Sequence, residues 1–324
     1  MRIPKNLISE GPRRVVIAVA SAAAILTFAA CSSNDDDGDG VTDGDEITDG
    51  DAVPDIDDLT DVDALIPDDG IISSTLPFQE RIFEPLDDGS PLELSTAYGD
   101  RTEGPHGLFA TIPGNTSTGL IRRTNSFRAH VISGVIENPF DNEGNPPVLE
   151  AGSFWSVASG ALHSTNCVSA EPCEIFFYQD GAFDTLVDGV DPLPEAVEDD
   201  GVPSVTIPAE DREFEMQNEA IAFAQAYGDR AIEAPQGFFG IFIGNFAPPL
   251  HTHTHGYHAI VFEGIVTNPF DEEENPPQLG PGSHWSVEAS ALHTTACVSE
   301  EPCTWFLYSD NDFDFLPVDD LSSL

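Results

Sequence analysis

The chain has 324 residues, enough for two medium domains or one large one, and its 58 Asp and Glu against 11 Lys and Arg give a formal net charge of -47. So negative a chain repels phosphate, which excludes nucleic acid as a natural partner. It suits a cation-rich or saline milieu, where screening relieves the self-repulsion.

Arg2, Lys5, Arg13 and Arg14 precede an apolar run over 15–30 that ends in Phe-Ala-Ala before Cys31. This is the pattern of a signal peptide, residues 1–30, with a lipoprotein cleavage box. A short membrane anchor is the competing reading, but at ~1.5 Å per residue the run falls short of a roughly 30 Å hydrocarbon core. Cys31 is therefore expected to carry the lipid, the chain's one link to a membrane. Ser32 after it favours sorting to the outer membrane of the cell envelope. Residues 31–74 read as a disordered acidic tether, without Lys, Arg or aromatic residues up to Asp69, since such a segment buries too little to offset its ordering entropy. Within it Asp35, Asp37, Asp39, Gly40 and Glu46 fit a calcium-loop spacing. The flanking helices of such a loop are missing, so loose ion association by a solvated tether is the competing reading.

Past the tether the sequence repeats itself. Residues 97–115 resemble 226–245, and 127–173 lie without a gap on 257–303, each residue 130 positions before its mate. Two related domains are expected, over 75–190 and 200–324. In each copy, short segments rich in β-branched and aromatic residues (107–112, 129–136, 153–157 and 175–178) alternate with turns such as Asn138-Pro139 and Asn145-Pro146-Pro147. That pattern predicts an all-β sandwich or barrel per copy, with the jelly roll a leading candidate. Helical spacing is detectable only over 213–226. Cys167 with Cys173 and Cys297 with Cys303 repeat one Cys-x5-Cys spacing, expected to close as local disulfides in an oxidising compartment. A zinc site from both pairs is the alternative. Trp155, Trp285 and Trp305 read as core.

Of nine histidines, His251, His253, His255, His258, His284 and His293 fall in the second copy. Residues two apart on a strand share a face, so His251 and His253 point together, and His258 reaches that side only across a bulge or twist. His293 is the candidate from a neighbouring strand. These residues resemble the two-part motif of cupins: His251-x-His253-x4-His258 with Gly264, then Glu288-x-Ser290-x2-His293. His258 stands at the family's glutamate, and Glu288 and Ser290 replace its Pro and Gly. The Tyr-Gly-Asp segments, the Gly-Ser-x-Trp strands, the Cys-x5-Cys hairpins and the closing Phe-Asp-Phe are more narrowly similar to the uncharacterised cupin family called domain of unknown function 4437.

The resemblance implies two tandem cupin-like jelly-roll barrels, a bicupin, with His251, His253, His258 and His293 holding a divalent transition metal: zinc, iron, manganese, copper or nickel. His255, His284, Tyr257 and Glu263 are expected around the metal. In the first copy Ile121, Arg123 and Arg128 take the places of the first three histidines and only His163 remains. That copy is expected to be metal-free, a packing partner or an anion site built from Arg122, Arg123, Arg128 and His163. A metalloenzyme acting on a small molecule, a non-catalytic small-molecule or metal-binding module and a structural lipoprotein compete as functions, and a homodimer stays open.

Overall fold

Two seven-stranded antiparallel sheets, one per copy, dominate the computed structural model. It describes residues 69–318 except 87–88, 141–142, 195–196, 231 and 269–274; the leader, Cys31 and the acidic segment with Asp35, Asp37, Asp39 and Glu46 lie outside the described residues. In chain order the sheet strands are β1 (Ser74–Leu76), β2 (Glu84–Pro85), β3 (Glu93–Gly99), β4 (His106–Ile112), β5 (Phe127–Ser133), β6 (Phe154–Val157) and β7 (Cys173–Gln179). The second copy contributes β8 (Val205–Ile207), β9 (Glu215–Met216), β10 (Ile221–Tyr227), β11 (Gln236–Phe242), β12 (Tyr257–Glu263), β13 (His284–Val287) and β14 (Cys303–Ser309).

One sheet runs β8-β6-β5-β7-β4-β3-β2 and the other β1-β13-β12-β14-β11-β10-β9. The copies therefore exchange their leading strands: β1 pairs with β13, and β8 with β6. The end of the expected tether is held as well, because the Asp69 carboxylate accepts hydrogen bonds from the backbone N–H of Ile71 and Gly256. Short pairings supply the second sheet of each jelly roll, among them Ile121–Arg122 with Leu186–Val187 and His251–Thr252 with Leu316–Pro317.

Period-two alternation decides what each sheet face meets. On β12, Tyr257, Ala259 and Val261 enter the second barrel's core, while Ile260 and Phe262 turn to a separate cluster shared by both copies. Phe109, Phe154, Phe176, Phe239 and Phe306 belong to that cluster with Tyr178, Ala224 and Tyr308, so both faces of the central strands are covered and the strands read as nearly continuous apolar runs. Each buried Phe contributes roughly 1.5–3 kcal/mol. Trp155 and Trp285 are buried in the two barrel cores.

The helical spacing over 213–226 is not realised. Asn218 Oδ1 accepts from the N–H groups of Ala220 and Ile221 and turns the chain between β9 and β10. The two disulfides expected from the repeated spacing are formed, Cys167–Cys173 and Cys297–Cys303. The barrels differ by an exchange of volume: Ala110 faces Ile175 in the first, where Gly240 faces Trp305 in the second. A Cβ at Gly240 would lie 2.2 Å from the Trp305 ring.

Candidate metal centre

His251 and His293 come from distant parts of the second copy but bridge directly, each backbone N–H donating to the other's carbonyl at 3.0 Å. His253 lies two residues along from His251 and so shares its face. The turn after it is pinned by Asp314, whose carboxylate accepts from Thr254 N (2.8 Å) and Thr254 Oγ1 (2.6 Å). Asp184 holds Thr124 in the same way in the first copy. The opposite wall is set by Ser290, which adopts φ 62° and donates its N–H to His253 O at 2.8 Å. A non-glycine residue in this left-handed region costs roughly 1–2 kcal/mol; the first copy places Gly160 there, at φ 69°.

One ring nitrogen from each of His251, His253 and His293 lies within 4.8 Å of the others, and all three residues are buried. Their Nδ1 atoms face backbone carbonyls: Pro249 O at 2.7 Å from His251, Ala291 O at 2.9 Å from His293, and Asp314 O beside His253. An Nδ1–H donating to each carbonyl fixes the neutral tautomer and leaves Nε2 as a lone-pair donor, the support that metal-binding histidines receive. Burial keeps them neutral. It lowers the pKa of His251, lowers that of His253 well below the ordinary value with help from the other two rings, and with His251 brings His293 to about 4. Three neutral imidazoles fit a borderline divalent ion such as zinc, iron, manganese, copper or nickel, and suit the oxygen-seeking calcium and magnesium poorly.

The fourth expected ligand lies elsewhere. Tyr257 takes the inward position on β12, with its hydroxyl 3.1 Å from His293 Nε2, so alternation sends His258 to the opposite face. There His258 stacks on Tyr98 at 3.8 Å, and its Nδ1 sits 3.2 Å from Nε2 of His284. Burial lowers His258 to about 3. His284 belongs to this seam rather than to the metal centre, stacked near Phe176. His255 faces Asp312 at 3.4 Å, and Glu263, exposed at the end of β12, accepts from Thr304 Oγ1. Of the residues expected around the metal, only Tyr257 is at the centre.

The anion site expected in the first copy is not assembled, for the same reason. Arg123 and His163 stay inside the first barrel, both against Phe127, whereas the next outward position carries Arg128 away to the seam. Arg123 is caged by Phe127, Phe177 and Phe183, with its guanidinium 4.3–4.9 Å from their ring centres, and donates to Gln179 Oε1 at 3.2 Å. Arg122 donates to Gly160 O and pairs with Asp188.

Two residues escaped the sequence reading although the Phe-Asp-Phe segment was visible. Phe313 and Phe315 lie 4.4 Å from His253 and 4.3 Å from His251, ring centre to ring centre. The first copy has Phe183 and Thr185 at these positions, so Phe315 marks the copy that keeps its histidines. With Tyr257, Trp285, Thr295 and Trp305 they line a cavity of about 60 Å³ that opens onto His251 and His253.

No family model matches the chain, and no curated protein matches it in sequence. Solved structures do match in fold. An oxalate decarboxylase mutant of Bacillus subtilis is similar over 74% of this chain and 78% of its own, at 15% identity and a TM-score of 0.52. The oxalate decarboxylase formate complex of Lactobacillus farciminis is similar over 77% and 90%, at 14% identity and a TM-score of 0.53. A glyoxylate-induced protein of Pseudomonas aeruginosa is similar over 75% and 92%, at 13% identity and a TM-score of 0.54. These are cupin-fold proteins, and the fold of this chain is that of a bicupin.

Proposed function

We propose that the second barrel holds one divalent transition metal on His251, His253 and His293, and that the chain is a cell-envelope lipoprotein whose metal centre acts on a small, uncharged molecule. The observation that carries this reading is the donor set: three buried imidazoles with Nδ1 atoms against backbone carbonyls and ring nitrogens converging within 4.8 Å. A bound ion with open positions would supply Lewis acidity or an activated water.

The chain's own groups do the rest. Asp314 and Ser290 fix the loops that present the histidines. Tyr257, kept protonated by burial that raises its pKa to about 12, offers a hydroxyl proton beside His293. Phe313, Phe315 and Trp305 exclude bulk water. None of the residues lining the cavity is Arg or Lys, so an organic anion finds no cationic partner there, and at about 60 Å³ the cavity suits a small ligand. The small cavity also favours the second reading, a binding module without turnover.

The motifs shared with domain of unknown function 4437 belong to this proposal and rest on sequence alone, as does the lipid on Cys31. The site is tested by metal content. His253→Ala or His293→Ala is expected to lower it at least about tenfold and His163→Ala to leave it unchanged; full metal retention in both second-copy variants overturns the assignment. Loss of membrane association in Cys31→Ser would support the anchor.

A further inference from the structure

The seam between the copies encloses a second, larger cavity of about 660 Å³. It has approximate twofold character because repeat mates line it. Tyr178 and Tyr308 stack on each other at 3.9 Å, and each hydroxyl meets that of another tyrosine at 2.9 Å, Tyr227 and Tyr98 respectively. Arg128 lies over the Tyr227 ring at 4.4 Å, where its mate His258 stacks on Tyr98. Asp180 and its mate Asp310 line it too, and Asp69, which has no mate there, adds a third carboxylate.

The charges in this cavity are close yet unjoined. In a chain with 58 acidic residues, the Arg128 guanidinium makes no ion pair or hydrogen bond among the described residues. Burial and the neighbouring Asp180 push the Asp310 carboxyl up, and Arg128 acts against them through space. The metal centre plays no part here, since its histidines point into the barrel on the far side of β12.

We propose that this cavity binds a small zwitterion of the α-amino acid kind, its carboxylate on Arg128, its ammonium between Asp180 and Asp310, and its side chain against the tyrosine rings. A fork of N–H donors suits a carboxylate. Two carboxylates in a cavity that tyrosine hydroxyls also line suit an ammonium, by charge and by hydrogen bonding. The asymmetry between mates, Arg128 against neutral His258, fixes which way such a ligand lies.

The test titrates free L-amino acids into the purified full-length chain by calorimetry. The tightest binder is then compared with its counterparts lacking the amine or the carboxylate; for phenylalanine these are 3-phenylpropionate and 2-phenylethylamine. One amino acid per chain is expected, with both half-ligands at least about tenfold weaker, because each forfeits charge-assisted bonds. Arg128→Gln and Asp180→Asn should each weaken the parent ligand similarly, while His253→Ala should not. Failure of every amino acid to bind, or a half-ligand binding as tightly as its parent, overturns the proposal. The half-ligand comparison needs no variant, so misfolding of Arg128→Gln does not blunt it.

Discussion

His130 is fully buried with neither ring nitrogen hydrogen-bonded among the described residues, and it is surrounded by Phe154, Phe239, Phe262 and Phe306. Its repeat mate is Ile260, buried in the same shared cluster. Unpaired polar atoms at such a site cost about 1–3 kcal/mol. Burial and Arg212 hold the folded-state pKa well below the ordinary value, so below about pH 6.5 the unfolded chain takes up a proton that the folded chain refuses. This contribution to stability is present above that pH and is lost as pH falls. His130→Ile is therefore expected to stabilise the protein by about 1–2 kcal/mol at pH 7.5 and to flatten the decline between pH 6.5 and 5. Denaturant unfolding at both pH values checks this; a less stable variant would mean that the histidine has a partner or a packing role that Ile cannot reproduce.

Strand phase explains what was legible in the sequence and what was not. The duplication, the strands and the two disulfides could be read because a repeat and period-two alternation are written residue by residue. His251 and His253 share a face for the same reason. His258 broke the pattern because the turn at Thr254–Gly256 resets the phase, so that Tyr257 rather than His258 enters the barrel; spacing alone carries no record of that reset. Arg128 left the first barrel by the same shift. Residues 213–226 suggested a helix because the turn at Asn218 separates the short β9 from β10 within that stretch. Packing between strands also differs between the copies. At β11 and β14, Gly240→Ala would drive a methyl group into Trp305 and should destabilise by about 1–3 kcal/mol. Adding Trp305→Ile recreates the first copy's own pair, Ala110 with Ile175, and should recover most of the loss. A thermal unfolding cycle over the four proteins measures the coupling; strictly additive losses would show that the two positions do not share the volume.

At the scale of the molecule, the exchange of β1 and β8 binds the duplicated halves into one unit. Neither exchange follows from the local sequence, because both strands are three residues long and their partners lie far along the chain. Removing residues 69–76 would expose β13 as an edge and withdraw the cap that Asp69 gives Gly256. A loss of about 2 kcal/mol, on the order of 5 °C in Tm, is expected, with added self-association at high concentration; unchanged Tm would mean that β1 merely rests on the sheet. The halves also divide the chemistry, the second barrel keeping the histidines while the first replaces them with Ile121 and Arg123. Mass-spectrometric metal analysis of the full-length chain, purified without a histidine tag, tests that division most directly. About one transition metal per chain is predicted, in keeping with a single three-histidine centre, whereas no metal after reconstitution, or two per chain, would contradict it.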